Sequence, residues 1–225
     1  FYSSKGTLEN EGLIQGLRDA GFFSHLENFN IDVCITAAQS VFSRVRKENL
    51  KVYDGIPETI KALHERGIKQ IILTDAPAYQ AQARLRFSKL GGFIDEIHSM
   101  PAAEIPDLPE RFVKNRRAGI SQFDLPNEKP HVDLEKVLGM TRERIRGGVA
   151  IIGDNMAKDM ALAGLYGCLG IHAAYGAASP DLIERIKKFA PERVAARNTQ
   201  VDSGAIIQGE VRTANSPEEI KVYLF

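Results

Sequence analysis

Val149-Ala150-Ile151-Ile152-Gly153-Asp154-Asn155-Met156-Ala157-Lys158-Asp159-Met160 holds the densest structural information in the chain. Four apolar residues run unbroken into Gly153, as in a parallel strand buried on both faces. Gly153 ends that strand, Asp154 stands at its carboxyl end, and Asp159 follows in the next turn. Ligands of open α/β sheets bind in the crevice outside the carboxyl ends of the strands. Two carboxylates delivered there can enclose one cation, as Mg²⁺ sites serving phosphate chemistry do. The same residues also fit a plain strand-to-helix turn, with Asp154 as N-cap and Asp159 as an exposed helix acid.

Working backward, helix and strand alternate. Pro57 opens a helix that carries Ile60 and Leu63 inward and stops at Gly67; Ile68 to Leu73 reads as a strand ending at Thr74-Asp75. Ala81 to Leu90 is helical up to Gly91-Gly92, and Ile94 to Met100 reads as another strand. Such alternation predicts βαβ units and a parallel sheet. Met100 to Glu128 breaks the rhythm. Its prolines (Pro101, Pro106, Pro109, Pro126, then Pro130) and the basic cluster Lys114, Arg116, Arg117 mark a long excursion, with the basic residues read as a solvated surface.

Forward of Asp159, Cys168 to Ile171 is a short strand, Ser179-Pro180 starts a helix, and Glu210 to Arg212 reads as a strand. Ser216-Pro217-Glu218-Glu219 has the pattern of a capping box. Ahead of residue 50 the texture is helical. Leu13, Leu17 and Ala20 share one face before Gly21, and Val33, Ala37, Val41 and Val45 keep a four-residue spacing. Residues 1–50 are read as a small helical cap and 51–225 as an α/β core interrupted at 100–128.

Composition excludes several function classes. Lysine plus arginine balances aspartate plus glutamate at 29 each, so no global field points to nucleic acid or anionic lipid. No apolar run reaches membrane-spanning length, and no signal peptide is visible. Cys34 and Cys168 lie far apart and read as reduced packing residues of a cytoplasmic protein. A homodimer is admitted. The five histidines show no metal-ligand spacing, and His131, beside Lys129-Pro130, is the one kept as a substrate contact. Gly164, Gly167 and Gly170 follow a helix and are no dinucleotide fingerprint.

Thr74, Lys129 and the pair Asp154 and Asp159 each fall at a sheet-top position. A hydroxyl and an ammonium that hold phosphate oxygens, with acids that hold Mg²⁺, are the parts of a phosphoryl-transfer site. In these motifs the chain resembles the haloacid dehalogenase superfamily, mostly Mg²⁺-dependent phosphatases with an aspartyl nucleophile. Val52 to Leu63 is similar to the approach to the second motif of that family, and Ile71-Ile72-Leu73-Thr74-Asp75 to the motif itself. Lys129-Pro130 is similar to the third motif and Gly153-Asp154 with Asp159 to the fourth.

The resemblance covers residues 52–176. It implies a Rossmann-like, doubly wound parallel sheet with a helical cap, acting on a small phosphorylated metabolite through a phospho-aspartate. It also implies catalytic roles for Lys129, Thr74 and Asp159, substrate contacts from Thr74, Asp75 and Lys129, and Mg²⁺ on Asp154 and Asp159. The family's first motif, Asp-x-Asp-Gly-Thr-Leu, has only Ser3-Ser4-Lys5-Gly6-Thr7-Leu8 as a counterpart, with Ser3 at the nucleophile's position and Lys5 at that of the acid/base. Either the motif lies upstream of Phe1, which the reduced strand ahead of it favours, or the chain is a non-catalytic relative serving as a binding or regulatory module. A receiver domain, with its own carboxylate, Thr and Lys, is a third reading that the length, the cap and the late Gly153-Asp154 pair disfavour.

Overall fold

The computed structural model describes residues 51–101, 120–176 and 209–225, together with Gly21, Ser24, Val33, Ala37, Ser40, Val41, Arg44, Glu48 and Glu184. The chain divides into two compact units, Phe1–Leu50 with Ala178–Arg197, and Lys51–Ala177 with Asn198–Phe225.

In the first unit, the described residues from Val33 to Glu48 are helical, as their spacing predicts. The face drawn by that spacing is exposed: Val33 is 62% and Val41 50% accessible. Periodicity located the helix but not its covered side. Gly21 takes a left-handed φ of 73° and accepts the Ser24 hydroxyl at 2.7 Å, which suits a chain reversal. The helix expected ahead of Gly21 lies outside the described residues, as do Ser3, Lys5 and the basic cluster; of the helix expected after Ser179, Glu184 is described and is helical.

The second unit is α/β, and the strand pairings among its described residues are all parallel. Helix α1 (Ile56–Glu65) carries Pro57 in its first turn and buries Thr59 and Leu63. Strand β1 (Ile71–Pro77) then leads through α2 (Ala78–Ser88) to β2 (Glu96–Met100). Strand β3 (Ser121–Asp124) pairs in parallel with β2, so the expected excursion contains a strand. Its four residues, Ser-Gln-Phe-Asp, are polar at three positions and lie at a sheet edge, which leaves no alternating apolar signal. Helices α3 (Leu134–Leu138) and α4 (Arg142–Gly148) precede β4 (Ala150–Gly153). A π-helical turn (Met156–Met160), α5 (Ala161–Tyr166), β5 (Leu169–Ala173), β6 (Val211–Ala214) and α6 (Pro217–Leu224) follow.

Pairing gives two three-stranded sheets, β1-β2-β3 and β4-β5-β6. They share one packing layer. Leu73 of β1, Met100 of β2 and Ile151 of β4 all pack on the buried cluster of Leu125, Val132, Leu134, Ile145, Leu162, Ala163 and Cys168. Yet β1 and β4 are each an edge of their own sheet. Ile152 shows the effect. It is 40% exposed, whereas Ile171, its registered partner on β5, is fully buried.

Buried polar groups fix the helices to the sheets. Gln70 donates its amide to the Ile60 and Phe93 carbonyls at 2.8 and 3.1 Å, and its main-chain N–H to Asp95 at 2.7 Å. Thr59 donates to the Pro217 carbonyl at 3.1 Å, holding α1 to the start of α6. The capping box of α6 is shifted by one residue. Glu219 reaches back to the amide of Asn215, at 3.0 Å, rather than to that of Ser216.

Candidate active site

Strand β1 delivers Thr74 and Asp75 near its carboxyl end. The Thr74 hydroxyl accepts the Ala76 N–H at 3.1 Å, a local side-chain turn that competes with regular ladder bonding. Beside it, the β1–β2 register shifts between Thr74 and Pro77. The Asp75 carboxylate is used on both oxygens. Oδ1 accepts the main-chain N–H of Lys129 at 3.0 Å, and Oδ2 accepts the Lys158 ammonium at 2.7 Å.

The matching end of β4 is built around two residues. At Gly153, a Cβ would collide with the Asp159 carboxylate, so this position must be glycine for Asp159 to lie against the strand end. Asn155, not Asp154, caps the following turn: its Oδ1 accepts the Ala157 and Lys158 N–H groups at 3.0 and 3.2 Å. Its carbonyl takes the Lys158, Asp159 and Met160 amides at 3.3, 2.8 and 3.3 Å. Its own N–H donates to Asp159 Oδ2 at 3.1 Å. Single π-helical turns of this kind are frequent at functional sites.

Asp159 is buried, 5% accessible, not the exposed helix acid of the plainer alternative. Its Oδ1 accepts the Lys129 ammonium at 2.6 Å. Lys129 comes from the loop between β3 and α3, so three separate segments converge. Lys158 also reaches Glu128, at 3.2 Å. Burial works against the charged form of Lys158, but its bond to Asp75 and the negative charges of Asp75 and Glu128 outweigh that and raise its pKa.

Asp154 is exposed and makes no hydrogen bond or ion pair among the described residues. It lies beside Gly176, where an added Cβ would be 3.4 Å from Asp154 Cβ. Next to it, burial pushes the Tyr175 phenol up in pKa, with Tyr53, Glu218 and Asp154 adding to the effect. The rings of Tyr53 and Tyr175 meet edge to face at 5.3 Å.

No protein-family model, curated protein or solved structure matches this chain. What the site can do rests on its own chemistry.

Lys129 and Asp159 are brought into direct contact, and Asp75 is joined to Lys129 through the main chain. Thr74 is adjacent in sequence to Asp75, as Asp154 is to Asn155, so both stand at the strand ends where that network forms. His131 lies apart from it. Its ring is exposed, and its amide closes a turn on the Glu128 carbonyl at 2.9 Å. Among the described residues no group of three or more His, Cys, Asp or Glu is disposed to hold a metal. Asp159 has both oxygens engaged, which leaves Asp154 as the open carboxylate. Sequence reasoning missed Lys158 altogether, and it leaves Asn155 either as a group supporting the site or as a helix-start residue. A lysine flanked by Ala157 and Asp159 has no spacing signal, because its partner Asp75 is 83 residues away.

Proposed function

We propose that this chain is a phosphate-ester hydrolase of the haloacid dehalogenase type, with a doubly wound Rossmann-like core, acting with Mg²⁺ on a small phosphorylated metabolite in the cytoplasm. The observation that carries the proposal is the 2.6 Å contact of Lys129 and Asp159 at the strand ends that also present Thr74 and Asp154. An ammonium held by a buried carboxylate keeps a fixed position, which suits it to holding a phosphate oxygen. The Thr74 hydroxyl, whose oxygen accepts from Ala76, keeps its own proton to donate to a second oxygen. Asp75, with both carboxylate oxygens engaged, would serve substrate through its main-chain N–H.

The donor set fits Mg²⁺ in the manner usual for phosphate enzymes, with one or two carboxylates and the remaining ligands from water and substrate. Asp154 would hold it directly, with Asp159 orienting Lys129. When bound, the cation supplies Lewis-acid polarisation and screening of the phosphate charge. The nucleophile implied by the resemblance is an aspartate in the first motif, whose counterpart at Ser3 lies outside the described residues.

Ser3 and Lys5 favour a second reading, a non-catalytic module that binds phosphate without turnover. Release of phosphate from a generic aryl phosphate with Mg²⁺, compared with Lys129→Ala, separates the two. Turnover lost in the variant supports the enzyme, and its absence from both proteins supports the binding module. In parallel, Asp154→Asn should weaken Mg²⁺ binding in a calorimetric titration while changing stability by no more than about 0.5 kcal/mol, because the side chain is exposed. Unchanged affinity would remove Asp154 from the metal site.

A further inference from the structure

The charges at the strand ends close into a ring. Asp75 Oδ1 holds the main-chain N–H of Lys129, and the Lys129 ammonium holds Asp159 Oδ1. Asp159 is bonded in sequence to Lys158, and the Lys158 ammonium returns to Asp75 Oδ2. Lys158 and Asp159 are successive residues of the π-helical turn, and that turn is fixed at its start by the side-chain oxygen and main-chain carbonyl of Asn155, which accept its first amides. The Asp75–Lys129 link ends on a main-chain N–H, and the two side-chain links start from residues of that fixed turn.

We propose that Lys158 is a positioning residue for Lys129. It balances the charge of Asp75, so that this carboxylate can keep the main chain of Lys129 at a fixed place between the two strand ends. From that place the Lys129 side chain reaches Asp159 and any bound anion. Asp75 and Lys158 are 20% and 30% exposed in their side chains, too enclosed for a loose surface pair. A surface pair would also leave one Asp75 oxygen to water, whereas here it accepts a main-chain amide of the site. The inference rests on the phosphate reading given above, because it assigns to Lys129 the holding of phosphate.

The test is inorganic phosphate binding in the presence of Mg²⁺, by calorimetry, with thermal midpoints recorded for every variant. Lys158→Met should weaken phosphate by about tenfold or more, the usual cost of losing a group that orients a ligand. Lys158→Arg should recover most of the loss, since it restores the charge and a donor. Lys158→Met combined with Asp75→Ala decides between position and charge. The double variant has the wild-type net charge, so recovery of binding would show a purely electrostatic effect and overturn the proposal. Persistent loss supports positioning, because Lys129 has then lost its main-chain acceptor. Unchanged binding in Lys158→Met would also overturn it, while leaving the phosphate reading intact. Wild-type protein that binds no phosphate would overturn both. If Lys158→Met fails to fold, Asp75→Ala alone gives the same comparison from the other side of the pair.

Discussion

The Lys129 ammonium lies 2.6 Å from Asp159 Oδ1, with the two side chains only 14% and 7% exposed. Desolvating both partners costs much of what their attraction returns, so such a pair contributes little net stability. Removing one partner alone is a different matter. Lys129→Met should destabilise the fold by roughly 3–5 kcal/mol, since it leaves a buried carboxylate without its countercharge. Lys129→Met with Asp159→Asn should cost clearly less than Lys129→Met alone. Urea denaturation of these two variants and of Asp159→Asn checks this, and a double variant whose loss equals the sum of the two single losses would show that the charges do not interact.

Gly153→Ala probes the close approach of Asp159 to the end of β4. The methyl group cannot be placed without moving the carboxylate, and overpacking of this kind costs about 1–3 kcal/mol. Phosphate binding should fall along with stability. A variant of full stability and full affinity would mean that Asp159 can occupy a second, equivalent position.

The pH dependence of stability follows from Lys158. Its pKa in the folded chain is raised above the ordinary 10.5. The folded state thus holds its proton more tightly than the unfolded state does. Its contribution is complete below about pH 10.5 and is lost as pH rises through the raised value. Urea midpoints of the wild type and Lys158→Met should differ at pH 8 and converge at strongly alkaline pH. A gap constant across that range would show that the ammonium contributes nothing through its charge.

Much of the scaffold is visible in the chain itself. Apolar runs ending at Thr74-Asp75 and Gly153-Asp154 locate β1 and β4, but burial on both faces, which such runs suggest, is not reached: both are sheet edges, and Ile152 is 40% exposed. Glycines at 67 and 153 mark element ends for steric reasons that any sequence would share. Strand β3 is different: four residues at an edge need no apolar pattern. The exposed valines of residues 33–41 show the converse, since periodicity reports a helix whether or not its face is covered. The charged ring was half legible. Lys129 and Asp159 stand out by motif, but the Asp75–Lys158 link joins distant segments and appears only once the strand ends are side by side.

The strands of the second unit fall into two consecutive stretches, 71–124 and 150–214, each giving its own three-stranded sheet. Hydrogen bonding within each stretch can be completed before the other exists, as in a protein with two cooperative subunits of folding. The shared cluster around Leu125 and Leu162 then docks one against the other. Asp75 belongs to the first stretch and Asp154, Lys158 and Asp159 to the second, with Lys129 on the link. Thr74 and the Asp75 N–H therefore stand together within the first half, whereas Lys129 meets Asp159 only where the two halves are docked, so full ligand affinity should report completed docking rather than sheet formation alone.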